Sequence, residues 1–80
     1  MKEECYIVVH RNYADGTMAY AFRNEEEARK DIDDDVSETV QSLSEQGYKA
    51  VALKGLEGSE VFVPDSDIYY EWELVSSTIR

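Results

Sequence analysis

The chain has little of what active sites and covalent staples are made from: one cysteine, one histidine and one proline among 80 residues. A lone thiol, Cys5, closes no internal disulfide, and with His10 as the sole imidazole no Cys/His set has metal-ligand spacing. A reducing, cytoplasmic setting is therefore the expectation. The glycines, Gly16, Gly47, Gly55 and Gly58, lie at turns and at a helix end, never at the spacing of a phosphate-cradling loop. Long apolar runs are missing too. Met1-Lys2-Glu3-Glu4 leads into a strand-like segment halted at His10-Arg11-Asn12, too short for a secretory core or a membrane span, so a soluble, unanchored protein is expected. Positive charge is also scarce, with eight basic residues against eighteen acidic ones and a net charge of −10. Charge of that sign repels phosphate; it argues against direct nucleic-acid binding and favours basic protein surfaces.

What is present suits a folded protein, since 42% of residues are hydrophobic and nine are aromatic. The whole chain, 1–80, makes a single domain. A domain of this size buries only about 60–65% of its unfolded surface, so its core is modest and its stability marginal.

Residues 5–11 are β-branched and aromatic, and Met18 to Phe22 alternates Met18, Tyr20 and Phe22 with Ala19 and Ala21. Asn12 to Thr17, with its Asp15-Gly16 step, joins the two runs as a β-hairpin. Asn24 then reads as a helix N-cap with Glu27 as capping-box partner, and Glu25, Glu26 and Glu27 suit the positive end of the helix dipole. Ala28, Ile32, Val36, Val40 and Leu43 form one apolar face, and Gly47 falls where a left-handed C-terminal residue is wanted. The simplest reading is one helix over 24–46; Asp33-Asp34-Asp35 would otherwise mark a kink or the cap of a second helix. Beyond it, Tyr48 to Leu53 reads as a strand, Lys54 to Ser59 as a turn and Glu60 to Val63 as its hairpin partner. Pro64-Asp65-Ser66-Asp67 breaks the run. Ile68, Tyr70, Trp72 and Leu74 then alternate with Tyr69, Glu71, Glu73 and Val75, a last strand with one face buried and one wet. The order is ββαβββ, an α+β fold with one long helix on one face of a mainly antiparallel four- to five-stranded sheet.

Catalytic chemistry finds no support in these elements. Cys5 and His10, five positions apart on one strand, point to opposite faces, so no dyad forms; the plain readings are a small core thiol and a surface or rim imidazole. Asp31-Ile32-Asp33-Asp34-Asp35 lacks the glycine and the distal glutamate of a calcium loop, and on a helix its carboxylates fan out around the axis. Asp65 and Asp67 sit in a turn, where capping is their usual role. No enzyme, metal or cofactor is expected.

The informative feature is the helix itself. Residues 24–46 hold nine carboxylates and two bases, a net of −7. Glu27, Asp31, Asp34, Glu38, Gln41 and Glu45 recur at helical spacing along one flank. Like charges three or four residues apart cost on the order of 0.2–0.5 kcal/mol per pair, and Glu27/Asp31, Asp31/Asp34, Asp31/Asp35 and Asp34/Glu38 are such pairs. Arg29 and Lys30 have intrahelical partners in Glu25, Glu26, Asp33 and Asp34, whereas Asp31, Glu38 and Glu45 have no base within reach. The carboxylates fall about 4 Å apart along the axis, near the roughly 3.4 Å phosphate spacing of one DNA strand. A solvated face kept acidic for solubility is the plain alternative.

In size, acidity and lack of catalytic residues, the chain resembles the small nucleic-acid-mimic inhibitors of the anti-restriction and anti-CRISPR type. The resemblance implies a non-enzymatic protein that docks its acids on a basic groove of a nuclease or similar nucleic-acid-binding enzyme and displaces the true ligand by competition. The residues expected to make the contact are Asp31, Asp34, Asp35, Glu38 and Glu45. Tyr69, Glu71 and Glu73, on the wet face of the last strand, are a second acidic and aromatic contact, or else the charges that protect an edge strand. The competing expectation is a housekeeping interaction or assembly module that uses the sheet face or an edge strand to form a homodimer or bind one protein, its acids only solubilising it.

Overall fold

The computed structural model describes residues 3–14 and 16–79. Asp15 of the expected Asp-Gly turn lies outside them, as do Met1 and Lys2 ahead of the first strand. The elements are β1 (Glu3–Asn12), β2 (Gly16–Phe22), α1 (Glu25–Glu45), β3 (Val51–Lys54), β4 (Gly58–Phe62) and β5 (Tyr69–Ile79). All five strands join one antiparallel sheet in the order β2-β1-β5-β4-β3, with α1 on one face. The expected ββαβββ fold is the observed one.

Period-two alternation decides what faces the helix. Val8 of β1, Trp72 of β5 and Val61 of β4 point to one side and are essentially inaccessible; Ala28, Ile32, Val36 and Leu43 of α1 close over them. These residues make the core, with Tyr6, Phe22, Val40, Tyr70 and Leu74 around its margin. His10 belongs on the same side. It is 9% exposed, its ring lies 4.7 Å from that of Trp72 at an interplanar angle of 22°, and its Nδ1 is 3.1 Å from the carbonyl oxygen of Glu71. The rim imidazole expected from sequence is thus a packed core ring, placed there by its register opposite Trp72.

The helix is unbroken through Asp33-Asp34-Asp35, because Ile32 and Val36 on either side of them are both buried in the core. Asn24 Oδ1 accepts from the backbone N–H groups of Glu26 (2.7 Å) and Glu27 (3.4 Å), which fixes the start. At the other end Gly47 adopts φ 90°, Gly47 N–H donates to Ser44 O and Tyr48 N–H to Leu43 O, both at 3.0 Å. That double bond pattern consumes Tyr48, which is why β3 starts at Val51 and not at Tyr48 as the β-rich composition suggests.

Two further expectations need correction. The turn after Val63 is organised by Ser66 and not by its flanking aspartates: Ser66 Oγ donates to Val63 O (2.7 Å) and accepts from Ile68 N–H (3.1 Å), while Asp65 takes φ 63°. Ile68 consequently belongs to this turn, and β5 begins at Tyr69 and extends to Ile79. The last strand is also no edge. It lies between β1 and β4, so charges on it cannot serve as edge protection.

Candidate partner-binding surface

The nine acids of α1 divide by their position around the helix. Asp34, Glu38 and Glu45 are exposed, and Asp31 and Asp35 are half-buried; Glu45 also lines the groove between α1 and β3 with Ala52 and Lys54. Asp33 leans to β3, where Lys54 Nζ stands 3.9 Å away.

Some of this charge is spent within the helix. Arg29 pairs with Glu25 (2.9 Å) and Lys30 with Asp34 (2.6 Å), each four residues apart, as the spacing demands. The Asp34 carboxylate holds the Lys30 ammonium above its ordinary value of 10.5, first through the hydrogen bond and then through its charge. Gln41 Nε2 donates to Glu45 Oε1 at 3.3 Å. Among the described residues, Asp31 and Glu38 make no salt bridge. Partial burial, followed by the charges of Asp35 and Asp34, pushes Asp31 above the ordinary aspartate value of 3.8.

Asp35 departs from the expected contact set. Its Oδ2 accepts from the indole Nε1 of Trp72 at 3.3 Å, so one of its oxygens faces the core and not a partner. The exposed acids are Asp34, which is paired with Lys30, Glu45, which accepts from Gln41, and Glu38, with Asp31 beside them.

Tyr69, Glu71 and Glu73 lie on the other face of the sheet, by the same alternation that turns Tyr70, Trp72 and Leu74 toward the helix. The two expected contacts are therefore separated by the full thickness of the sheet and do not form one surface. On this open face Arg11 reaches both Glu73 (3.2 Å) and Glu71 (3.6 Å), and Tyr69 OH donates to Glu60 Oε1 at 3.0 Å. Burial, then the hydrogen bond to Glu60 and the charge of Glu71, pushes the Tyr69 phenol up to about 12. Arg11 and Glu60 were not legible as partners from spacing alone, since they meet Glu71 only through the β1–β5 and β4–β5 registers. The salt bridges leave this face less acidic than its composition.

Cys5 is half-buried on the same open side as Ile7 and Val9, and so outside the core that the sequence assigns it; it is on the face opposite His10, as expected. Among the described residues no three Cys, His, Asp or Glu side chains converge as a metal site. A shallow groove of about 580 Å³ runs between α1 and β3 over Val36, Val40 and Ala52. No described helix is long and apolar enough to cross a membrane. No protein-family model, curated protein or solved structure matches the chain.

Proposed function

We propose that the protein is a non-enzymatic acidic binding protein that occupies the basic nucleic-acid-binding groove of a nuclease or a similar protein. The observation that carries this reading is the exposed acids Asp34, Glu38 and Glu45 on one unbroken helix of 21 residues, with no basic residue in its last turn. A helix of that length extends about 32 Å, comparable to one turn of duplex DNA. A rigid rod of carboxylates offers an Arg/Lys groove the charge it is built to receive. It does so without the flexibility that would raise the entropic cost of binding. The rod stands on its own sheet, which keeps it straight despite the repulsion along it.

The test is capture from a nuclease-bearing lysate on the immobilised protein, beside a bait with Asp34, Glu38 and Glu45 changed to lysine. The expected result is a nucleic-acid-binding protein held only by the native stripe, released by moderate salt and competed off by duplex DNA or RNA. Equal capture by both baits would rule the stripe out as a binding surface.

A further inference from the structure

The sheet has two edges, and they are built differently. β3 is four residues long and ends in Lys54, features that discourage pairing with another strand. β2 runs seven residues, Gly16–Phe22, without a charged side chain, a proline or an interruption in its pairing to β1. In a chain with 32% charged residues, this is the strand that lacks the usual protection. All its described residues but Phe22 are exposed, Met18 at 41% and Tyr20 at 44%. Its outer row of backbone N–H and C=O groups has no strand beside it.

We propose that β2 is a homodimer interface, where a second copy of this chain adds its own β2 antiparallel across a two-fold axis to make a continuous ten-stranded sheet. The occupant follows from the strand's own pattern, which is self-complementary about Ala19 and offers no carboxylate to a basic partner strand. The β2 strand of a second copy is neutral over the whole length to be paired. A register centred on Ala19 pairs all seven residues: Ala19 with Ala19, Met18 with Tyr20, Thr17 with Ala21 and Gly16 with Phe22. Facing residues then share a side of the sheet, as antiparallel pairing requires. Met18 and Tyr20 of each copy form one row on the helix side, extending the contact that Tyr20 OH already makes with Met18 Sδ at 3.4 Å. Both helices fall on the same side of the joined sheet, and the two copies, each of −10, repel one another. Added salt screens that repulsion, so it strengthens dimerisation, opposite in sign to its effect on a complex held by the stripe.

Sedimentation equilibrium tests the proposal. The native protein is expected to show a doubled mass at high micromolar concentration, with a dissociation constant that falls as salt is added. The double variant Met18→Lys, Tyr20→Lys is expected to sediment as a monomer with an unchanged far-ultraviolet circular dichroism spectrum. In a Cys5→Ser background, Ala19→Cys should oxidise to a covalent dimer far faster than Leu53→Cys on the opposite edge. A native protein that stays monomeric, a dimer indifferent to the two lysines, or equal crosslinking from both edges would overturn it. None of these outcomes depends on whether the stripe binds a partner.

Discussion

Trp72 Nε1 donates to Asp35 Oδ2 at 3.3 Å, joining the largest fully buried side chain of the sheet to a carboxylate of the acidic helix. Asp35→Ala leaves that indole N–H unpaired in the core, and the expected loss is about 1–3 kcal/mol. Asp35→Asn keeps an acceptor at the same place and should recover most of it. Chemical denaturation of the three proteins measures the difference; equal stability of native and Ala forms would show that the bond contributes nothing.

Asp31 is charged at neutral pH in a setting that disfavours the charge, beside Asp34, Asp35 and Glu27. Relief of these contacts is worth about 0.2–0.5 kcal/mol per pair, so Asp31→Asn is expected to stabilise the fold by roughly 0.5–1 kcal/mol at pH 7 and low salt. The folded-state pKa lies above the unfolded one. The native protein therefore gains stability, relative to neutral pH, as Asp31 takes up its proton, and the advantage of the variant should disappear as pH falls through the carboxylate range. Thermal melts of both proteins from pH 7 downward check the sign.

The Tyr69 phenol, with its pKa pushed up to about 12 from the ordinary 10.0, resists ionisation in the folded state. Stability from this group is complete below pH 10 and is lost as pH rises toward the folded value, because the unfolded chain ionises first. Tyr69→Phe is expected to melt less steeply with rising alkalinity than the native protein. At neutral pH it should give up only the hydrogen bond to Glu60, worth about 1 kcal/mol. A parallel alkaline decline in both proteins would place the high phenol elsewhere.

Gly58 stands where β4 passes close to β5. A Cβ at this position would collide with the backbone carbonyl oxygen of Trp72, which cannot move aside as a flexible side chain would. Gly58→Ala is expected to cost about 1–3 kcal/mol, whereas Gly55→Ala, whose Cβ would meet the carbonyl oxygen of Gly58 at 3.3 Å, should cost less. Urea midpoints of the two variants rank them.

The helix was almost wholly readable from the chain. Asn24, Gly47 and the Ala28-Ile32-Val36-Leu43 spacing are local signals, and local signals specify caps and faces directly. The intrahelical pairs Arg29–Glu25 and Lys30–Asp34 followed from the same spacing. The sheet was legible as a set of strands but not as an order. Whether Glu71 and Glu73 sit on an edge or at the centre depends on which strands flank β5, and no periodicity within residues 69–79 encodes that. The burial of His10, the pairing of Arg11 with two glutamates and the capture of Asp35 by Trp72 all depend on registers between distant segments. The charge-free run of β2 was visible in the residues, but its meaning needed the knowledge that it borders the sheet.

The ten-residue register of β1 with β5, from Glu3↔Ile79 to Asn12↔Tyr70, bears on how the molecule is made. Without β5 the remaining strands are two separate hairpins, β1–β2 and β3–β4, each of which is marginal in water on its own. During synthesis the sheet therefore waits for its keystone, and the bare β1–β2 hairpin, with its uncharged strand, leaves the ribosome well before the strand that anchors it. The acidic helix follows that hairpin directly. Its charge keeps nascent chains apart during the interval when their neutral strands have nothing else to pair with.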